Sequence, residues 1–274
     1  MRADVFLASG GYAPSREQAK RLILEGLVTV DGKPLRRAAE EIGEGAHTVT
    51  VSGPERCARR GGNKLEAELA AFGLNPSGWR ALDIGASTGG FTDCLLRHGV
   101  TEVVAVDSGA GQLAEALRGD PRVRSREHCN ARDLTAETIG GRVRLIVMDV
   151  SFISATLILP RFPALLESVG DAVCLIKPQF EVGRANIGKG GIVRDPRAHR
   201  LAVDRVLDCA SALGLCAAGL IPSPILGGDG NREFLVRLTV GQTFPPLTAK
   251  QVAAVTANAA KGDGYAENCV GNKL

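Results

Sequence analysis

The chemistry of this 274-residue chain starts from a lysine in an unfavourable place. In "LIKPQFE", residues 175–181, the apolar run Ala172–Ile176 reads as a strand buried on both faces, and Lys177 ends it. An ammonium half-buried at that point costs free energy unless an opposite charge pairs it or its pKa falls. Pro178 follows at once, so the strand stops and the chain turns away beside the amine. Three further charges stand at comparable points. Asp149 in "VMDVSF" ends another apolar run, Lys64 opens a helical segment, and Glu233 in "GNREFLV" opens a strand. In an open parallel sheet ligands bind beyond the carboxyl ends of the strands. Lys177 and Asp149 end two strands at that edge, Lys64 starts a helix that descends from it, and Glu233 reaches it if its strand runs antiparallel. Each charge alone reads as a surface ion pair. Together they form a cluster of two amines and two carboxylates, the kind of site where ionisation is tuned for a reaction.

A second constellation lies beside the first. After the first long strand comes "DIGASTGGFTD", in which Asp83 opens the loop and Gly85, Gly89 and Gly90 let the backbone turn tightly toward a ligand at a helix N-terminus. Asp107 closes the next strand, where a carboxylate can accept hydrogen bonds from ribose hydroxyls. The arrangement suits S-adenosyl-L-methionine or NAD alike. Two features favour the methyl donor: the loop lacks the G-x-G-x-x-G spacing that seats a pyrophosphate, and Ser87, Thr88 and the backbone amides can hold an amino-acid end.

The elements that position these residues follow a simple rhythm. Strands are predicted at Ala81–Ile84, Glu102–Val106, Arg122–Arg126, Val143–Met148, Ala172–Ile176, Leu215–Ile221 and Phe234–Val240. Helices are predicted between them, including Lys64–Phe72 and Pro196–Leu213. Strand and helix in alternation give an α/β fold with a mostly parallel sheet covered on both sides. Residues 243–274 form a C-terminal extension of unassigned role, with a helix in "PPLTAKQVAAVTANAAKG" and a loose tail after it.

The first 52 residues form a smaller α+β unit. Ser15 with Gln18 is a capping-box pattern that starts a helix at Arg16, and Gly26 stops it. Val28–Val30 and Val49–Val51 read as strands, with Asp31-Gly32 as a tight turn. Between the units, residues 53–63 carry Arg56, Arg59 and Arg60 ahead of Gly61-Gly62, which reads as a flexible basic hinge.

Composition excludes several classes. Apolar residues make up 45% and charged residues 23%, as in ordinary soluble domains, and the net charge of +3 permits nucleic-acid binding without demanding it. The seven scattered cysteines never form C-x-x-C, so neither a disulfide framework nor a zinc site is indicated. No apolar run approaches the roughly 18 residues of a membrane span, and no signal peptide is read at the start. The expected location is the cytoplasm.

The basic helix followed by "GLVTVDGKPL" resembles the S4 RNA-binding module over about residues 2–52. The resemblance implies phosphate contacts from Arg16, Lys20 and Arg21, from Arg36 and Arg37, and from Arg59 and Arg60 of the hinge. In the larger part, residues 64–242, Lys64, Asp149, Lys177 and Glu233 match in order and context the K-D-K-E tetrad of the FtsJ-like ribose 2′-O-methyltransferases. With "RGGNKL", "GASTGGFTD", "DVSFIS", "KPQFE" and "GKGGIVRDP" also present, the chain resembles the TlyA-type rRNA 2′-O-methyltransferases, historically called haemolysins. The resemblance implies a Rossmann-like seven-stranded methyltransferase domain and S-adenosyl-L-methionine as cofactor. Its cofactor pocket would comprise Asp83, Gly85, Ser87, Thr88, Gly89, Phe91 and Asp107, with Asn130 near the adenine. Lys177 would activate a ribose 2′-hydroxyl, that of a cytidine in ribosomal RNA, while Lys64, Asp149 and Glu233 fix its charge and orientation. No metal is required, the partner is ribosomal RNA or a ribosomal subunit, and the oligomeric state is left open. Two patterns depart from the family: Cys57-Ala58-Arg59 ahead of the glycines, and Ala110 in "SGAGQL" after Asp107. A non-catalytic RNA-binding assembly factor and a membrane-active haemolysin stand as the competing readings. The intact tetrad opposes the first, and the lack of an apolar or strongly amphipathic span opposes the second.

Overall fold

The computed structural model describes residues 1–13, 15–24, 26–43, 45–51, 54–227, 230–258 and 270–271, with backbone alone at 54–60, 258 and 270–271. The expected RNA contacts Arg59 and Arg60 therefore have side chains outside the described residues.

The N-terminal unit comprises α1 (Ala3–Ser9), α2 (Arg16–Leu24), β1 (Val28–Val30), β2 (Lys33–Pro34) and β3 (Val49–Val51), with strand order β2-β1-β3. Ser15 Oγ accepts the Gln18 N–H at 3.1 Å and starts α2 as the capping pattern requires. Asp31 and Gly32 both have positive φ, 52° and 74°, which closes the two-residue turn that pairs Val30 with Lys33. Leu7, Ala19, Ile23, Val28, Leu35 and Ile42 fill a small core of their own. Helix α1 has no side-chain cap, so no local signal announces it.

The larger unit contains α3 (Pro54–Ala71), β4 (Arg80–Ile84), α4 (Gly90–Arg97), β5 (Glu102–Val106), α5 (Glu115–Arg118), β6 (Val123–Arg126), β7 (Val143–Met148) and α6 (Phe162–Leu165). It continues through β8 (Leu166–Ile176), α7 (Pro178–Glu181), α8 (Pro196–Ala212), β9 (Cys216–Pro222), β10 (Phe234–Val240), α9 (Ala249–Asn258) and β11 (Val270–Gly271). The sheet order is β11-β9-β10-β8-β7-β4-β5-β6. The seven predicted strands are all present in the Rossmann-like arrangement, and the two-residue β11 extends the β9 edge where a loose tail was expected. Strand order reverses between β4 and its two neighbours, β5 and β7, which opens the ligand crevice above β4. β10 is antiparallel to both β8 and β9, and Phe234 pairs with Ile176. That register puts Glu233 and Lys177, the next residues outward, side by side.

Two expectations about elements need correction. Residues 54–63, expected as a hinge, belong to α3, which starts ten residues before the predicted Lys64. The paired glycines mark close packing rather than flexibility. A Cβ on Gly62 would lie 3.3 Å from the Gly90 carbonyl oxygen, so its absence lets α3 press onto α4, and Gly61 faces Gly90 Cα beside it. Strand β8 begins at Leu166, before the predicted Ala172; Glu167, Ser168 and Val169 are exposed, so no apolar run marks that stretch. Helix α9, within the unassigned extension, buries Val252 and Val255 in the main core. Among the described residues, no helix is long and apolar enough to cross a membrane.

Candidate active site

The four charged residues meet above the sheet as two ion pairs. Lys64 Nζ donates to Glu233 Oε2 at 2.7 Å, with 9% and 3% of the two side chains exposed. Lys177 Nζ lies 2.5 Å from Asp149 Oδ1 and donates to Ser151 Oγ at 2.9 Å. Burial works to raise the Asp149 carboxyl, but the Lys177 and Lys64 charges outweigh it and hold the group below its ordinary value. The antiparallel β10 explains why Glu233 arrives here at all. Asn231, two residues earlier, accepts the Val193 N–H at 2.9 Å and donates to the Gly191 carbonyl at 3.0 Å, which ties the "GKGGIVRDP" loop to the start of β10.

One turn after Lys64, Glu68 lies fully buried with neither carboxylate oxygen hydrogen-bonded. Burial pushes its pKa well above the ordinary value; Lys64 opposes the shift while Asp149 and Glu233 add to it.

The cluster opens into a cavity of about 460 Å³ that the Gly85 loop, Asp107, Asn130 and Phe91 also line. Gly85 has φ 86°, and a Cβ there would come 2.4 Å from the Asp149 carbonyl oxygen, so only glycine allows the loop to pass this close to β7. Ser87, with φ 49°, donates its N–H to Asp107 Oδ2 at 2.9 Å. Thr88 lines the same wall, and Gly89, at φ 95°, packs beneath it against Leu113 and Leu117. Asn130 caps a short turn by accepting the Arg132 N–H at 3.1 Å.

Asp83 is placed otherwise. It is fully buried, accepts a hydrogen bond from Thr92 Oγ1 at 2.7 Å and does not line the cavity. Its role is to bind β4 to the start of α4, and burial raises its pKa to about 7.

The expected RNA contacts disperse. Arg16 is exposed but donates to the buried Asp4 at 3.2 Å. Lys20 is half-buried on α2, and Arg36 and Arg37 are exposed. Arg37 packs over Gly190 of the "GKGGIVRDP" loop. Arg21 turns away from solvent and enters the cofactor cavity.

Sequence reasoning missed several neighbours. Ser151 holds Lys177. Glu181 accepts from Ser154 Oγ at 2.5 Å and from the Ala155 N–H at 2.8 Å, locking "KPQFE" to "DVSFIS". Gln179 Oε1 is buried without a partner at the cavity wall. Phe152 is 47% exposed at φ 67° and leans on Phe180 with ring centroids 5.4 Å apart. All of these lie within the quoted motifs, adjacent to Asp149 or Lys177, so adjacency was the available signal.

Residues 57–240 match the FtsJ-like methyltransferases and residues 1–47 match the S4 domain. The chain belongs to the FtsJ-like methyltransferase family. It is 45% identical over 250 residues to the 16S/23S rRNA (cytidine-2′-O)-methyltransferase TlyA of Mycobacterium tuberculosis, across 91% of this chain and 93% of that one. Hemolysin A of Brachyspira hyodysenteriae is 40% identical over 245 residues, covering 88% of this chain and 100% of its own. A solved structure from Streptococcus thermophilus, named as a hemolysin, superposes with a TM-score of 0.71 at 39% identity, covering 95% and 96% of the two chains. Membership of the FtsJ-like family brings S-adenosyl-L-methionine as methyl donor, and the residues present fit it. The cavity is of small-ligand size, and the Asp107 carboxylate, the Ser87–Thr88 turn and Asn130 together line it with polar groups.

Proposed function

We propose that this FtsJ-like enzyme methylates the ribose 2′-hydroxyl of a cytidine in ribosomal RNA. The observation that carries the reading is the pairing of Lys177 with Asp149 and of Lys64 with Glu233 beside the glycine loop. S-adenosyl-L-methionine supplies an electrophilic methyl group when bound. Lys177 Nζ accepts the proton of the 2′-hydroxyl as the oxygen forms its new bond to the methyl carbon and the carbon–sulfur bond breaks, so that S-adenosylhomocysteine would leave. Asp149 and Ser151 orient that nitrogen, and Asp149 stabilises the ammonium that results. Lys64 adds a second positive charge that acts on the Asp149 carboxylate, and Glu233 fixes Lys64 in place. Phe152 offers an exposed aromatic face next to Lys177, suited to stacking a base turned out of its helix.

The N-terminal unit, residues 1–52, serves as an S4 domain for phosphate contacts, with residues 64–242 as the catalytic domain. The name borne by the mycobacterial relative supports ribosomal RNA and cytidine as the target. The test incubates purified protein with labelled S-adenosyl-L-methionine and separated ribosomal subunits, followed by mapping of ribose methylation. Methylation at a cytidine 2′-oxygen is expected in at least one subunit, and Lys177→Ala should lower its rate by at least about a thousandfold. Label on a base, or full transfer by Lys177→Ala, would overturn the assignment.

A further inference from the structure

Arg21 reads in the sequence as an RNA contact, yet the fold carries its guanidinium into the cofactor cavity. Nη1 lies 2.8 Å from Asp107 Oδ1 and 2.8 Å from Gln112 Oε1. The Arg21 side chain is 21% exposed and that of Asp107 is 7% exposed. Glu17 and Leu24 of the same helix line the same cavity, so α2 as a whole abuts the pocket. Asp107 has little acceptor capacity left. Its Oδ1 also takes the Gly109 N–H at 2.7 Å, and its Oδ2 takes the Ser87 N–H at 2.9 Å. Three of the roughly four lone-pair directions of the carboxylate are thereby used. A vicinal ribose diol asks for two.

We infer that Arg21 is a latch between the domains: cofactor ribose competes with its guanidinium for Asp107, and an RNA phosphate competes with Asp107 for the guanidinium. The inference rests on the proposed reading of the chain as an RNA methyltransferase. Its consequence is reciprocal coupling. While Arg21 holds Asp107, only the fraction of molecules with the pair open can accept both hydroxyls, and the apparent cofactor affinity falls by that fraction. A phosphate that draws Arg21 away restores the affinity, and by linkage the cofactor releases Arg21 toward RNA by the same factor. Coupling of this kind spans roughly 5- to 150-fold, and a pair with one partly exposed member belongs near the lower end, about tenfold.

Equilibrium dialysis of the full chain with labelled S-adenosylhomocysteine tests the latch. Without RNA, Arg21→Ala should bind about tenfold more tightly than wild type, with Arg21→Lys in between, because the lysine keeps the charge but loses the guanidinium fork. Saturating purified ribosomal subunits should tighten wild type to the level of Arg21→Ala and leave that variant unchanged. Equal or weaker binding by Arg21→Ala overturns the latch, since Arg21 would then be inert or a cofactor ligand. Wild-type affinity that subunits do not move overturns its release by RNA. Methyl transfer measured on the same preparations separates the two readings. Transfer without an Arg21 effect sinks the latch alone, whereas no transfer to either subunit sinks the methylation reading and leaves the dialysis result standing.

Discussion

At the scale of single residues the site is a set of buried charges whose partners decide what each substitution does. Removing one member of a buried pair strands the other, so Lys64→Met should destabilise the protein by about 3–5 kcal/mol while the double variant Lys64→Met/Glu233→Leu recovers much of the loss. Urea melts of the three proteins check this, and equal instability of single and double variants would count against it. Asp83 and Glu68 carry the opposite sign of pH dependence from a salt-bridged carboxylate. Both are buried with pKa values raised, Asp83 to about 7. A carboxyl that binds its proton more tightly when folded contributes stability in full below the unfolded value, near 3.9. That contribution fades as pH rises through about 7, the folded value of Asp83. Wild type should therefore lose stability between about pH 4 and pH 7, and Asp83→Asn should flatten that part of the profile; a slope unchanged in the variant would show that Asp83 is not its source. Asp149 acts in the other direction, its contribution vanishing only as pH falls through its depressed value.

At the scale of elements, the position of Lys64 depends on how closely α3 lies against α4. Gly62 meets the Gly90 carbonyl oxygen and Cys94, with a Cβ there 3.3 Å from the former. Gly62→Val should wedge the helices apart and shift Lys64 relative to β10. A displacement of about 1 Å at a reacting group can cost on the order of 100-fold in rate. Single-turnover kinetics should show that loss, with a smaller change in S-adenosylhomocysteine affinity, because Asp107 follows β5, away from the α3–α4 contact. Loss of affinity as large as the loss of rate would mean that the wedge collapses the glycine loop instead. The same view explains Glu181, whose carboxylate joins the segment after β8 to the one after β7 and so fixes the spacing between Lys177 and Asp149.

For the molecule as a whole, the N-terminal domain meets the larger one through Arg21 at Asp107, in the cavity wall, and through Arg37 over Gly190 of the "GKGGIVRDP" loop. Lys20 and Arg36 remain available on its surface for phosphate contacts. Each that neutralises a phosphate should reduce the slope of log affinity against log salt by about 0.7–0.9 when replaced by alanine. Filter binding of ribosomal RNA across a salt series measures this, and slopes identical to wild type would remove those residues from the interface.

The strands and the charges of Lys177 and Asp149 were legible in the chain because burial on both faces writes continuous apolar runs, as in Val143–Met148, and because a charge that terminates such a run is costly enough to stand out. Motif spacing likewise gave the glycine loop and Asp107. Other features depend on contacts between distant segments and leave no local trace. Gly61-Gly62 has the composition of a hinge and became the packing face of a helix only because Gly90 lies opposite. Asp83 shares a motif with the cofactor loop, yet strand direction turned it inward to Thr92. Arg21 shares a helix with residues expected to meet RNA, and only the docking of α2 against the loop after β5 matched that guanidinium to Asp107. The sequence by itself determined which groups carry charge and which segments must be buried, since those follow from residue type and period. Tertiary structure alone decided which opposite charges meet, because pairing over 86 residues, as between Arg21 and Asp107, depends on how the completed surfaces pack.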